Sequence, residues 1–180
     1  MILALHERPE GVAAEPGLRV VYDLARNEAH FGEAAVEGPA LVWQLASDDV
    51  GDATLAVEIE LDPAHDWLVR CDRIDFPPGG IAYRHTHPGA GIRRLLFGSI
   101  RIEGPEAHAA EYAAGGAWFE GFDYPVLATA STTEPTAFVR VMVLPREWEG
   151  KRTIRYVDPA DEEKPKLQRP TLFFDRPIRL

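Results

Sequence analysis

Gly79-Gly-Ile-Ala-Tyr-Arg-His-Thr-His-Pro-Gly-Ala-Gly-Ile-Arg-Arg-Leu-Leu-Phe-Gly98 is the stretch on which the fold turns. Pro77-Pro-Gly-Gly80 is a hard turn, and the two runs after it, Ile81 to His87 and Ile92 to Phe97, are extended in pattern. Alternate residues of a strand share a face. Tyr83, His85 and His87 are therefore expected to point one way, and Arg84 and Thr86 the other. Two imidazoles at that spacing can grip one metal ion. His-x-His alone is also compatible with a pair of surface histidines.

Period-two patterning continues on both sides of this stretch. Leu18–Tyr22, Leu41–Leu45, Thr54–Leu61 and Trp67–Ile74 read as strands before it. Ile100–Glu103, His108–Tyr112, Trp118–Glu120, Val126–Ala130 and Phe138–Leu144 read as strands after it, with Arg140 interrupting the last. Asp23–Ala29 and Pro145–Gly150 have room for a helical turn or two. With 15 Gly and 15 Pro in 180 residues, many short strands joined by turns fit better than a helical bundle. The pattern predicts a closed all-β barrel or sandwich. Pro159–Lys166 is charged and Pro-bounded, an expected exposed loop. Leu172-Phe-Phe174 and Pro177–Leu180 then return to apolar character and are expected to dock as a strand on the barrel edge or on a second copy.

The central stretch resembles the first motif of the cupin superfamily of small jelly-roll barrels. That motif has a Gly, five residues, His-x-His, three or four residues, Glu, six residues and a closing Gly. Gly79, His85, His87 and Gly98 stand in those places, and Gly91 stands where the family has Glu. A second motif is matched mainly in spacing. From Gly115 onward, Val126 falls on the family's third His and Ala130 on its Asn, with Pro125 just before. The resemblance covers about residues 67 to 144. It implies a double-stranded β-helix, a small-molecule pocket inside the barrel and, often, a homodimer. Terminal segments would then complete a partner's sheet or bury its apolar surface. The expected layout is one domain, with a barrel core from about 40 to 144 and extensions at 1–39 and 145–180 that add strands to its sheets.

Two of the four family metal ligands are replaced, by Gly91 and Val126. Catalytic metal sites usually keep three protein ligands, so His85 and His87 would need a further group, with Glu120, Asp123 or Tyr83 as candidates. If Gly91 keeps the inward orientation of the missing Glu, Arg93 and Leu95 also turn inward, whereas a bulge would leave Arg93 on the surface. An inward Arg repels divalent cations and attracts a carboxylate. Two functions follow as expectations. One is a barrel that binds a small organic anion with weak or no metal, through Tyr83, Arg93, Leu95 and Val126 beside the histidines. The other is a metal-dependent oxygenase or isomerase, with His85 and His87 holding Fe, Zn, Mn or Ni. The two replacements are expected to leave a roomier cavity.

Composition narrows the partners. Nineteen basic against 29 acidic residues give a net charge of −10, which disfavours nucleic acid and anionic membranes. The single cysteine, Cys71, precludes an intrachain disulfide. No signal-peptide core or membrane span is apparent, so a cytoplasmic location is expected. The only lysines are Lys151, Lys164 and Lys166.

Overall fold

The structure is a computed structural model that describes residues 1–106 and 108–180. Its first part contains β1 (Ile2–Arg8), β2 (Gly11–Val12), β3 (Arg19–Asp23), β4 (Glu28–Phe31), β5 (Val36–Glu37), β6 (Ala40–Ala46) and β7 (Leu55–Glu58). β2 and β5 form a short ribbon, and the others make a sheet in the order β4-β3-β6-β1-β7. Asp23–Ala29 is a hairpin turn rather than a helical one. The Asp23 carboxylate accepts from the backbone N–H of Ala25 and Arg26, and Asn27 takes φ +55°. This local bonding of an Asp side chain competes with helix formation.

The barrel begins at β8 (Trp67–Phe76) and continues through β9 (Ile81–Thr86), β10 (Ala90–Phe97), β11 (Ser99–Glu103) and β12 (Ala109–Ala113). It is completed by β13 (Ala117–Glu120), β14 (Val126–Ala130) and β15 (Thr136–Pro145), then β16 (Arg155–Tyr156) and β17 (Arg169–Ile178). The larger sheet has the order β13-β10-β15-β8-β17 and the smaller β12-β11-β14-β9-β16. The chain passes back and forth between these sheets from β8 to β15, and sequence neighbours such as β8 and β9 lie in opposite sheets. That strand order is a double-stranded β-helix, the jelly-roll topology expected from the sequence. Two motif glycines sit where the backbone needs them: Gly79 (φ +73°) and Gly98 (φ +78°) both adopt the left-handed conformation.

The amino-terminal sheet does not extend the barrel sheets, and the barrel starts at Trp67, not near residue 40. β6 belongs to the extra sheet, which packs face-on against the outside of the larger barrel sheet. Leu3, Leu5, Val20, Leu41, Trp43 and Leu45 meet Val69, Cys71, Ile92, Val139, Val141 and Val143 in one apolar cluster. The Trp43 indole N–H donates to the Ile92 carbonyl at 3.1 Å across this layer. With both faces covered, β8 and β15 are buried along nearly their whole length, which explains the near-continuous apolar character of β15 and the burial of Arg70 and Asp72 on β8. Covering a sheet face and lengthening a sheet demand the same alternating pattern, so strand periodicity does not separate the two.

β17 pairs with β8 of its own chain, Phe174 is buried, and the Phe173 ring packs edge-on against Tyr22. Of the two docking sites expected for the terminal strand, it takes the barrel edge. Apart from strands, the described residues contain two short 3-10 segments, Arg146–Trp148 and Pro159–Glu163. No helix among the described residues is long and apolar enough to cross a membrane.

Candidate functional site

Inward-facing side chains of the two barrel sheets enclose a cavity of about 470 Å³. One end is apolar, with Ile74, Phe76, Ala82, Ile102, Trp118 and Phe138. The other is polar, with Arg70, Asp72, His85, His87, Arg93, Glu120 and Arg140. The open side is bridged by a strap, the segment 146–168. It leaves β15 in the larger sheet, pairs at the edge of the smaller sheet as β16, and returns to the larger sheet as β17. Gly150, Lys151, Arg152, Thr153, Ile154, Lys166 and Gln168 contribute to the cavity wall from this segment.

Arg70 fastens the strap. Its guanidinium makes a bidentate pair with Asp175 on β17, both contacts at 2.6 Å, and donates to the carbonyls of Lys151 (2.8 Å) and Trp148 (3.1 Å). Asp175 also accepts from the Gly150 N–H at 2.7 Å, and these bonds hold its carboxyl below the usual aspartate range against the opposing effect of burial.

Two further ion pairs cross the polar end. Arg140 donates from Nε and Nη2 to the two oxygens of Asp72, at 2.6 and 2.9 Å. Arg93 is fully buried and reaches Glu120 Oε2 at 2.7 Å, while its Nη1 donates to the Gly91 carbonyl at 2.6 Å. The second Glu120 oxygen accepts from the Trp118 indole N–H at 2.8 Å. Burial pulls the Arg93 guanidinium down to about 10, with the Glu120 carboxylate acting the other way.

The histidines have opposite tautomers. His85 Nδ1 lies 2.7 Å from the Tyr83 carbonyl, which only accepts, so Nδ1 carries the proton and Nε2 offers a lone pair. His87 Nε2 lies 3.1 Å from Arg140 Nη1, which only donates, so there Nε2 accepts and the proton sits on Nδ1. That Nδ1 is buried without a well-formed hydrogen bond, beside the Thr153 backbone. The two rings stand edge-on, with centroids 4.9 Å apart. Burial lowers the pKa of both histidines, and for His87 the Arg140 cation lowers it further.

Both rings are therefore harder to protonate in the folded state than in the unfolded chain, where a histidine titrates at about 6.5. As pH falls through that value the unfolded chain takes up protons that the folded chain refuses, so stability is present above it and is lost below. The expected loss is up to ~1.4 kcal/mol per pH unit for each histidine so held. Urea midpoints at pH 7.5 and 5.5 measure it. His87→Gln should flatten the profile, and an unchanged slope in that variant would show that His87 is not held neutral.

A divalent metal does not fit this arrangement. His87 Nε2 is engaged by Arg140 and Glu120 by Arg93, so a cation would have to displace both arginines to reach these groups. Among the described residues, no three His, Cys, Asp or Glu side chains are grouped as metal ligands.

The expected site residues divide clearly. His85, His87, Arg93 and Glu120 are brought together in the cavity, and the inward orientation of Arg93 is settled by its register with Arg140 and Trp118. Tyr83 is not among them. The β9–β14 register shifts between Val126/His85 and Ala128/Ala82, so a bulge at residues 83 and 84 breaks the alternation. Ala82 and His85 both face the cavity, and the Tyr83 ring lies under Lys164 Nζ, 4.7 Å from its centroid. Leu95 and Val126 do face the barrel interior, but they pack into its apolar core with Trp118 and Ile100 rather than lining the main cavity. Gly91 leaves no room either: a Cβ there would collide with the backbone and side chain of β15. The roomier cavity expected from the two replacements is therefore not what these positions provide. Asp123, a further metal candidate, is exposed and paired with Arg155. Cys71 is buried against the extra sheet, where desolvation pushes its thiol well up. Nothing local in the sequence marks Asp72, Arg70 or Asp175 as site residues. Arg140 interrupts an apolar strand and is a usable signal, because an Arg amid a β-branched run must find a buried partner.

No family model matches the chain, and no curated protein does. Solved structures do share its shape in part. The polyketide cyclase RemF from Streptomyces resistomycificus is 19% identical over 53% of this chain and 63% of its own, with a TM-score of 0.41. The match therefore spans less than two thirds of that protein. An RmlC-like cupin from Shewanella frigidimarina NCIMB 400 is 17% identical over 46% of this chain and 70% of its own, at a TM-score of 0.39. A cupin protein from Bacteroides fragilis is 17% identical over 53% of this chain and 90% of its own, also at 0.39. The fold assignment rests on the strand order itself, which makes the chain a double-stranded β-helix.

Proposed function

We propose that this chain is a metal-free barrel that binds a small organic anion with a largely apolar body. The observation that carries the reading is a cavity with an apolar end and a polar end in which the buried ionic groups neutralise one another: Arg93 with Glu120, Arg140 with Asp72, Arg70 with Asp175. An apolar pocket with a few placed polar groups is the usual form of a small-molecule site. Pairing and hydrogen bonding let these charges be buried in such a site without leaving an isolated ion in it. His85 Nε2 then supplies a hydrogen-bond acceptor, and the spare N–H groups of Arg140 supply donors.

The competing reading is a metal-dependent oxygenase or isomerase, in which His87 would have to exchange Arg140 for the metal. Elemental analysis of untagged protein separates the two. The expected result is iron, zinc, manganese and nickel all far below one per chain, with no change on His85→Ala. Stoichiometric metal that disappears in His85→Ala would overturn the metal-free reading.

A further inference from the structure

None of the strap's acidic residues contributes to the cavity wall, whereas three of its basic residues, Lys151, Arg152 and Lys166, do; Arg146, Arg155 and Lys164 lie outside it. Arg152 and Lys166 share one carboxylate, that of Glu162. Among the described residues, Lys151 is the one charged member of the cavity wall with no ion-pair partner. Its backbone is fixed nonetheless: its carbonyl accepts from Arg70 and its N–H donates to the Trp148 carbonyl at 3.0 Å. Lys151 is thus an exposed residue of the cavity wall, anchored through its backbone and free of an ion-pair partner, beside a cavity whose deeper charges already cancel. In a chain of net charge −10, an anion is repelled at long range and needs such a local excess of positive charge.

From this we infer that Lys151, supported by Arg152, receives the acidic head of an amphipathic organic anion at the strap, while the apolar body of that anion lies in the barrel against Phe76, Trp118 and Phe138. The inference rests on the anion-binding reading above and relocates its charged contact. Arg93, the residue the sequence offered for that role, is committed to Glu120 deep in the barrel and has no uncompensated charge to give. The ligand class is an aryl or alkyl carboxylate, long enough to span from the apolar end to the strap.

The probes are 2-naphthoate and its uncharged isostere 2-naphthamide, titrated calorimetrically into the full chain. Naphthoate should bind more tightly than naphthamide, and its advantage should shrink as salt rises. Lys151 is exposed, so Lys151→Ala and Lys151→Glu should fold normally, which a thermal melt checks. Lys151→Ala should weaken naphthoate about fivefold and Lys151→Glu by about tenfold or more, with naphthamide moved by less than about twofold. Naphthoate affinity that is indifferent to Lys151→Glu, with naphthamide still bound, would overturn the head-group assignment and leave the barrel reading standing. Failure of both probes to bind wild type would overturn the barrel reading itself, and this inference with it.

Discussion

Arg140→Ala should destabilise the protein by about 3–5 kcal/mol, read as a lowered urea midpoint with an unchanged slope. The magnitude follows from what the substitution leaves behind. Asp72 is buried, and both of its oxygens are held by Arg140, at 2.6 and 2.9 Å. Without the guanidinium, a carboxylate would be stranded in the barrel interior, and His87 would lose the donor to its Nε2. Removing both charges is a different experiment. Arg140→Leu with Asp72→Leu should recover most of the loss, because a buried ion pair contributes little net stability over a well-packed apolar pair. Arg140→Lys should recover only part of it, since an ammonium cannot make the two-pronged contact. Arg101→Ala, which breaks an exposed pair with Glu103, should leave the midpoint where it is. A single Arg140→Ala variant as stable as wild type would mean that Asp72 finds another partner and that the polar end is less tightly coupled than its geometry indicates.

The same pair shows where reading the sequence reaches its limit. The strands, the turn glycines Gly79 and Gly98, and the meeting of His85 with His87 were all legible, because each depends on local alternation or on a backbone angle that glycine tolerates. Asp72 and Arg140 are far apart in sequence, and only the pairing of β8 with β15 sets them side by side. Nothing local distinguishes an Asp that will face a barrel cavity from one that will face water. The Tyr83 orientation failed for a related reason. Alternation holds from Ile92 to Leu95, so Arg93 takes the inward of the two orientations left open for it, but the bulge in β9 turns Tyr83 to the other side. A bulge adds one residue to a strand without changing its composition, so periodicity does not reveal it. The extra sheet is hidden for a third reason: the pattern of its strands specifies that one face is buried, not what covers it.

Gly91→Ala, the smallest possible change at its site, should cost about 2–3 kcal/mol, and Gly91→Glu should prevent stable folding. Gly91 lies on β10 opposite Met142 of β15 and Glu120 of β13. An added Cβ would overlap the Val141 carbonyl oxygen, and would lie 2.7 Å from Met142 Cγ and 3.0 Å from Met142 Cα. A methionine side chain can move aside, but a strand backbone flanked on both edges cannot do so without loosening the β10–β15 pairing. Met142→Ala should therefore rescue Gly91→Ala only in part, and that partial rescue distinguishes backbone collision from simple overpacking of side chains. This position is also where the family motif carries its glutamate. The obvious restoration, Gly91→Glu with Val126→His, is accordingly expected to yield aggregated or unfolded protein rather than a metal site. Val126 adds a second obstacle, because it is packed in the apolar core beside Trp118 and Ile100. A folded double variant that binds zinc stoichiometrically would show that β10 and β15 can separate enough to admit a carboxylate. In that event, close approach of the two strands could not be what keeps the third and fourth ligands out of this barrel.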